Sequence, residues 1–189
     1  MAESLTLEWN GLKLAATFKP SDRGAAREPC FVVLHGFGST KDSGSSPEMS
    51  GLLNSRGYAT LRVDMPGCGD SEGERGRHVC LDQVAVAKAC VDYLLERPDV
   101  DGSRIGMAGA SFGAAISIYT AGEDERVAAV ISSGGWGSGE RKAKLQHPPS
   151  ESWEKFTNML AEGREKLARG EVMMVPRYDI VPIPEHLSK

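Results

Sequence analysis

A chain of 189 residues that is 40% hydrophobic can bury one substantial core, and two full domains within it would be crowded. Its 22 basic and 26 acidic side chains leave a net charge of -4, with no basic cluster to grip a phosphate backbone, which argues against nucleic acid as a partner. The N-terminus has no basic stretch followed by an apolar run, and nowhere do about 18 apolar residues occur together, so the expectation is a soluble, cytoplasmic protein without a membrane span.

In chain order, Leu5, Leu7 and Trp9 alternate with polar residues, Asn10-Gly11 intervenes, and Leu12, Leu14, Ala16 and Phe18 alternate again. Asn-Gly tolerates the positive φ angles of a tight turn, so this is a β-hairpin signature. A polar loop over 21–28 leads to Cys30-Phe31-Val32-Val33-Leu34, apolar without alternation and therefore a strand covered on both faces. The same pattern recurs at 59–63, 104–108 and 127–131. Helical patterns fill the gaps. The clearest runs from Leu81 to Arg97, with Val84, Ala87, Val91, Leu94 and Leu95 on one face and Pro98 as its stop. Another starts at Ser111 and carries Ala114, Ala115 and Ile118. Strands alternating with helices after a hairpin predict an α/β fold, a mostly parallel sheet with helices on both faces. Beyond Ser138 the character changes: residues 140–144 are charged, Pro148-Pro149 breaks the chain, and Trp153, Phe156, Leu160 and Leu167 mark one helix that Gly170 could end. The last segment has three prolines and reads as no central strand.

The four cysteines, Cys30, Cys68, Cys80 and Cys90, contain no C-x-x-C pair, and the simplest reading is four reduced thiols serving as small buried hydrophobes. Chemistry is carried elsewhere. Gly109-Ala110-Ser111-Phe112-Gly113 fits G-x-S-x-G and falls between an apolar strand and an alanine-rich helix, where a serine on a sharp turn is held with its hydroxyl exposed. The alternative, a helix-capping serine beside packing glycines, would be preferred for the five residues alone; their position between strand and helix reverses it. His35-Gly36-Phe37-Gly38-Ser39 follows the strand ending at Leu34, and a turn there can aim an amide at a developing negative charge. The oxyanion-hole candidates are the backbone amides of Phe37 and Phe112, while the His35 imidazole is expected to be structural. A third loop, Asp64-Met65-Pro66-Gly67-Cys68-Gly69-Asp70-Ser71, fails G-x-G-x-x-G, and Asp64 and Asp70 are read as bonding the loop backbone.

In this order, each just after its strand, the three motifs resemble the α/β-hydrolase superfamily, in its esterase, dienelactone-hydrolase-like and acyl-peptidase-like branch. The resemblance covers residues 5 to 138. It implies that Ser111 attacks an acyl carbonyl of a small-molecule ester or related acyl substrate, forms an acyl-enzyme and releases it to water, with no metal or organic cofactor. It further implies that 1–138 are the N-terminal part of the hydrolase core and that 139–189 are a helical cap segment. The family's acid and histidine follow the serine on later strands, and none is visible after Ile131. His147, His186 and Asp179 are the downstream candidates by order alone, with surface or cap roles preferred for both histidines, so the triad acid and base stay unassigned. The chain is accordingly expected to be incomplete or one piece of an assembly, a homo-oligomer included. Acyl transfer, C–C or peptide bond hydrolysis, and a catalytically silent binding protein remain as alternatives.

Overall fold

A computed structural model of the chain describes residues 1–148 and 150–182. Glu3–Trp9 (β1) and Leu12–Lys19 (β2) pair antiparallel with Trp9 opposite Leu12. Asn10 and Gly11 between them take φ of +49° and +76°, the left-handed pair that a two-residue hairpin turn requires. Then follow Glu28–Leu34 (β3), Ser45–Ser55 (α1), Ala59–Val63 (β4), Cys80–Glu96 (α2), Val100–Ala110 (β5), Phe112–Glu123 (α3) and Val127–Ser133 (β6). The sheet order is β1-β2-β4-β3-β5-β6, antiparallel at β1, β2 and β4 and parallel from β4 to β6.

Helices on both faces explain the unbroken apolar run of β3. Cys30, Val32 and Leu34 join the larger core, with Val84, Val91 and Leu94 of α2 and Ile116 of α3. Phe31 and Val33, one residue out of phase, pack with Leu53 of α1 and Ala108. The helix α2 stops where Arg97, before Pro98, turns to extended backbone with ψ of 127°. Its guanidinium lies 3.8 Å above the Phe18 ring and bonds Asp99, tying the hairpin to the helix end.

Two expectations need correction. β6 has the composition of a strand covered on both faces, yet Val127 is half-buried and every residue from Ala128 to Ser133 is exposed. The reason is its place in the sheet: β6 is outermost and, among the described residues, pairs only with β5. Of the cysteines, Cys30, Cys68 and Cys90 are buried as free thiols, but Cys80 is exposed at the first turn of α2.

Residues 1–137 form one compact unit and 138–189 another. The second holds Gly139–Gln146 (α4), Ser150–Ala168 (α5) and Arg177–Ile180 (α6), and no strand among its described residues. Ser138 caps α4 by accepting the Arg141 amide. After α5 the amides of Gly170 and Glu171 fold back onto the carbonyls of Leu167 and Lys166, which closes the helix as expected from Gly170. Phe156 is the buried side chain of α5, stacked on His147 at 4.2 Å between ring centres. No helix among the described residues is long and apolar enough to cross a membrane.

Candidate functional site

The backbone passes from β5 to α3 in a single residue, Ser111, with φ of +53° and ψ of -116°. Only it and Asn10 are non-glycine residues with positive φ among the described residues, and for an L-residue that conformation is strained. The turn is over-determined by its surroundings. The Ser111 amide donates to the Ser133 carbonyl of β6 at 2.8 Å, and its own carbonyl accepts from Ala115. The flanking glycines are sterically obligatory: a Cβ on Gly109 would run into the Gly113 carbonyl, and one on Gly113 into the carbonyl of Leu34 at the end of β3. Ser111 is exposed and its side chain does not cap α3, so the helix-capping alternative fails.

The loop after β3 lies against this turn. A methyl group on Gly36 would sit 3.5 Å from the Ser111 Cβ. Phe37 follows, and its amide donates to no acceptor among the described residues. The Phe37 ring meets Phe112 edge-on at 6.4 Å, and Phe112 stacks against Trp136 at 5.9 Å. These rings give the surroundings of Ser111 an aromatic character.

His35 is buried with both ring nitrogens engaged. Nε2 accepts the Met65 amide at 3.1 Å, which leaves Nδ1 as the protonated nitrogen donating to the Gly36 carbonyl at 2.9 Å. Burial lowers its pKa, the Gly36 hydrogen bond opposing it. His35 is thus a neutral strut between the loops after β3 and β4, as expected. His78 packs its ring 4.7 Å from that of Phe37, and burial lowers its pKa too.

Asp64, at the end of β4, is fully buried. It bonds the loop backbone as expected, accepting the Asp70 amide at 3.0 Å and that of Lys41, while its carbonyl accepts the Ser71 hydroxyl. It also accepts from the Lys41 ammonium at 3.2 Å. Sequence reasoning passed over Lys41, because an isolated lysine in a polar stretch reads as a solvated one; only the spacing of Lys41 from the His35 loop could have drawn attention to it.

Of the remaining candidates, His147 turns Nε2 to the Ile180 carbonyl at 3.2 Å, and Asp179 pairs with Lys155 at 3.5 Å, both within the unit of 138–189. His186 lies outside the described residues. The structure therefore brings together Ser111, Phe37, Phe112 and His35, and bonds no histidine or carboxylate side chain to the Ser111 hydroxyl among the described residues.

Residues 10–171 match the family profile described as X-Pro dipeptidyl-peptidase (S15 family). The putative hydrolase YtaP of Bacillus subtilis (strain 168) is 29% identical over 153 residues, 67% of this chain and 50% of that one. Polyketide transferase ATR5 of Stachybotrys chlorohalonatus (strain IBT 40285) is 34% identical over 125 residues, 66% of this chain and 41% of that one. Among solved structures, DcsB in complex with its substrate analogue is similar in fold, with a TM-score of 0.76 at 24% identity over 94% of this chain and 58% of that one. The chain spans about half the length of the curated relatives it matches.

Proposed function

The chain belongs to the X-Pro dipeptidyl-peptidase (S15) family within the α/β-hydrolase superfamily, and from that premise we propose that it carries the nucleophile and oxyanion hole of a serine hydrolase acting on carboxylic esters or related acyl compounds. The observation that carries this reading is the conformation of Ser111: exposed, at φ +53°, and not engaged in capping its helix. Strain of order 1–3 kcal/mol persists only where neighbours enforce it, and here the hydrogen bond of the Ser111 amide to Ser133 and the close backbone packing that Gly109 and Gly113 permit do so.

The Ser111 Oγ attacks the acyl carbon, and the carbonyl oxygen gathers negative charge. The Phe37 amide, free of any described acceptor, and the Phe112 amide at the start of α3 donate to that oxygen. An imidazole takes the serine proton and returns it to the departing alcohol; water then adds to the acyl-enzyme, releasing the acid and restoring the serine. His35 is unsuited to that task because its two nitrogens already hold Met65 and Gly36. Among the described residues no histidine or carboxylate side chain bonds the Ser111 hydroxyl, so the base and its orienting carboxylate stay unassigned, and the lid role expected of residues 139–189 belongs to the same proposal. The rings of Phe37, Phe112 and Trp136 favour an apolar or aromatic acyl group.

Acyl transfer is the second reading, since an acceptor other than water can open the same intermediate. It is favoured by the likeness to a protein named as a polyketide transferase. One experiment tests the shared step: labelling with a fluorophosphonate probe, alongside nitrophenyl-ester turnover, for the protein and its Ser111→Ala variant. Label and turnover are expected to vanish together in the variant. Undiminished turnover by Ser111→Ala would overturn the assignment.

A further inference from the structure

We propose that Lys41 is a positioning residue of the oxyanion loop, holding the Phe37 amide in place through Asp64; this rests on the reading of Phe37 given above. Every polar group of Lys41 is held by the strand and loop of β4. Its ammonium lies 3.2 Å from Asp64 and 3.0 Å from Asp70, and also reaches its neighbour Asp42 at 2.7 Å. Its amide donates to the second Asp64 oxygen. Its carbonyl accepts from the Arg62 guanidinium at 2.6 Å, which also bonds Asp42 at 3.0 Å.

Such a concentration on one residue is unusual for a lysine, which ordinarily keeps its charge in water. Lys41 is 7% exposed and Asp64 0%. A carboxylate with no access to water must be matched by a positive charge and by donors, and the Lys41 ammonium and amide supply both. Burial pulls the Lys41 pKa down, but its bonds to Asp42, Asp70 and Asp64 outweigh this and hold the ammonium charged across the neutral range. The opposite loop is shaped to admit the pair: a Cβ on Gly69, at φ +49°, would overlap the Asp64 carboxylate.

The consequence falls on residues 36–40. At one end of this segment His35 bonds Met65; at the other Lys41 bonds Asp64. Adjacent residues at the end of β4 thus anchor both ends of the segment that contains Phe37. Between these ends the loop's hydrogen bonds are its own, solvent-exposed ones among Ser39, Thr40 and Ser43 and one from the Ser39 amide to the Gly36 carbonyl, while the Phe37 ring packs on His78 and Phe112. An oxyanion donor is effective only when fixed before charge develops, and a displacement of about 1 Å can cost about 10²-fold in rate.

The test uses Lys41→Met, Lys41→Arg and the double variant Lys41→Met/Asp64→Asn, which leaves no unpaired buried charge and so stays folded if the single variant does not. In the amide NMR spectrum, the Phe37 cross-peak is expected to shift and its hydrogen exchange to accelerate about tenfold or more in the methionine variants, with return toward the parent in Lys41→Arg. An unmoved Phe37 amide in a folded methionine variant overturns the proposal, whether or not the protein turns over esters. In ester turnover, kcat is expected to fall about 10²-fold with KM little changed. A shifted Phe37 amide with unchanged Ser111-dependent kcat would instead support the clamp and overturn Phe37 as the oxyanion donor. Loss of melting temperature alone, with Phe37 and kcat unmoved, would reduce Lys41 to a structural ion pair.

Discussion

Gly113 and Gly122 sit on the same helix and face opposite fates on gaining a methyl group. At Gly113 the methyl would run into the Leu34 carbonyl, so the helix start and the end of β3 must part, moving the Ser111 turn with them. At Gly122, exposed near the end of α3, nothing lies within 4 Å. Gly113→Ala is expected to lower the unfolding free energy by about 1–3 kcal/mol, as overpacking does, and Gly122→Ala to raise it by about 0.4–1 kcal/mol through the unfolded chain. Urea unfolding of both variants measures the contrast, and equal effects would show that the start of α3 does not press on the Leu34 carbonyl.

His35 gives a second prediction at this scale. Its pKa is depressed in the folded protein by burial, so the unfolded chain takes up a proton first as pH falls below the ordinary value of about 6.5. Stability is therefore full above that value and declines as pH drops toward the folded pKa. His78, depressed for the same reason, adds to the slope. The urea midpoint is expected to fall between pH 7 and 5.5, and His35→Gln to flatten that fall whatever its absolute stability. An identical slope in the variant would mean that His35 takes up its proton in the folded protein as readily as in the unfolded chain.

Among the elements, the strands were the more legible part. Residues 59–63 appear as β4 without adjustment, and the hairpin appears with Asn10-Gly11 at its turn. Their signals are local: alternation, a turn dipeptide, an apolar run. What the sequence could not display is what covers a strand. The apolar residues of 127–131 resemble those of β3, but β3 lies between two strands and β6 beside one. The same limit hid Lys41, whose burial depends on Asp64, 23 residues away, and let Cys80 pass as a buried thiol. Hydrogen exchange should separate the two strands. From Ile105 to Gly109 β5 is paired on both edges, by β3 and β6, and the amides of that stretch are expected to exchange only with global unfolding. Those β6 amides that face away from β5 should exchange orders of magnitude faster. Uniform protection along β6 would show that its outer edge is covered in solution.

At the scale of the whole molecule, the two units are built on different resources. Residues 1–137 contain both clusters of buried apolar side chains, formed by a sheet with helices on either face. Residues 138–189 bury Phe156 and His147 but leave Leu145, Leu160 and Leu167 of α4 and α5 exposed. Their helices lean on local devices: the Ser138 cap and the Glu140–Lys144 and Glu162–Lys166 pairs one turn apart. Exposed pairs of that kind are screened by water and contribute little, and short segments with little buried area are marginal. The second unit should therefore unfold first. Tryptophan makes this measurable, because Trp9 and Trp136 lie in the first unit and Trp153 in the second, against Phe156. In a Trp9→Phe/Trp136→Phe variant, Trp153 emission is expected to change at lower urea, with a shallower slope than the far-ultraviolet circular dichroism of the whole chain. A Trp153→Phe variant reports the first unit and should follow the later, steeper transition. Coincident midpoints and slopes from both variants would show that the chain unfolds as one cooperative body, and that the second unit draws its stability from more than its own helices.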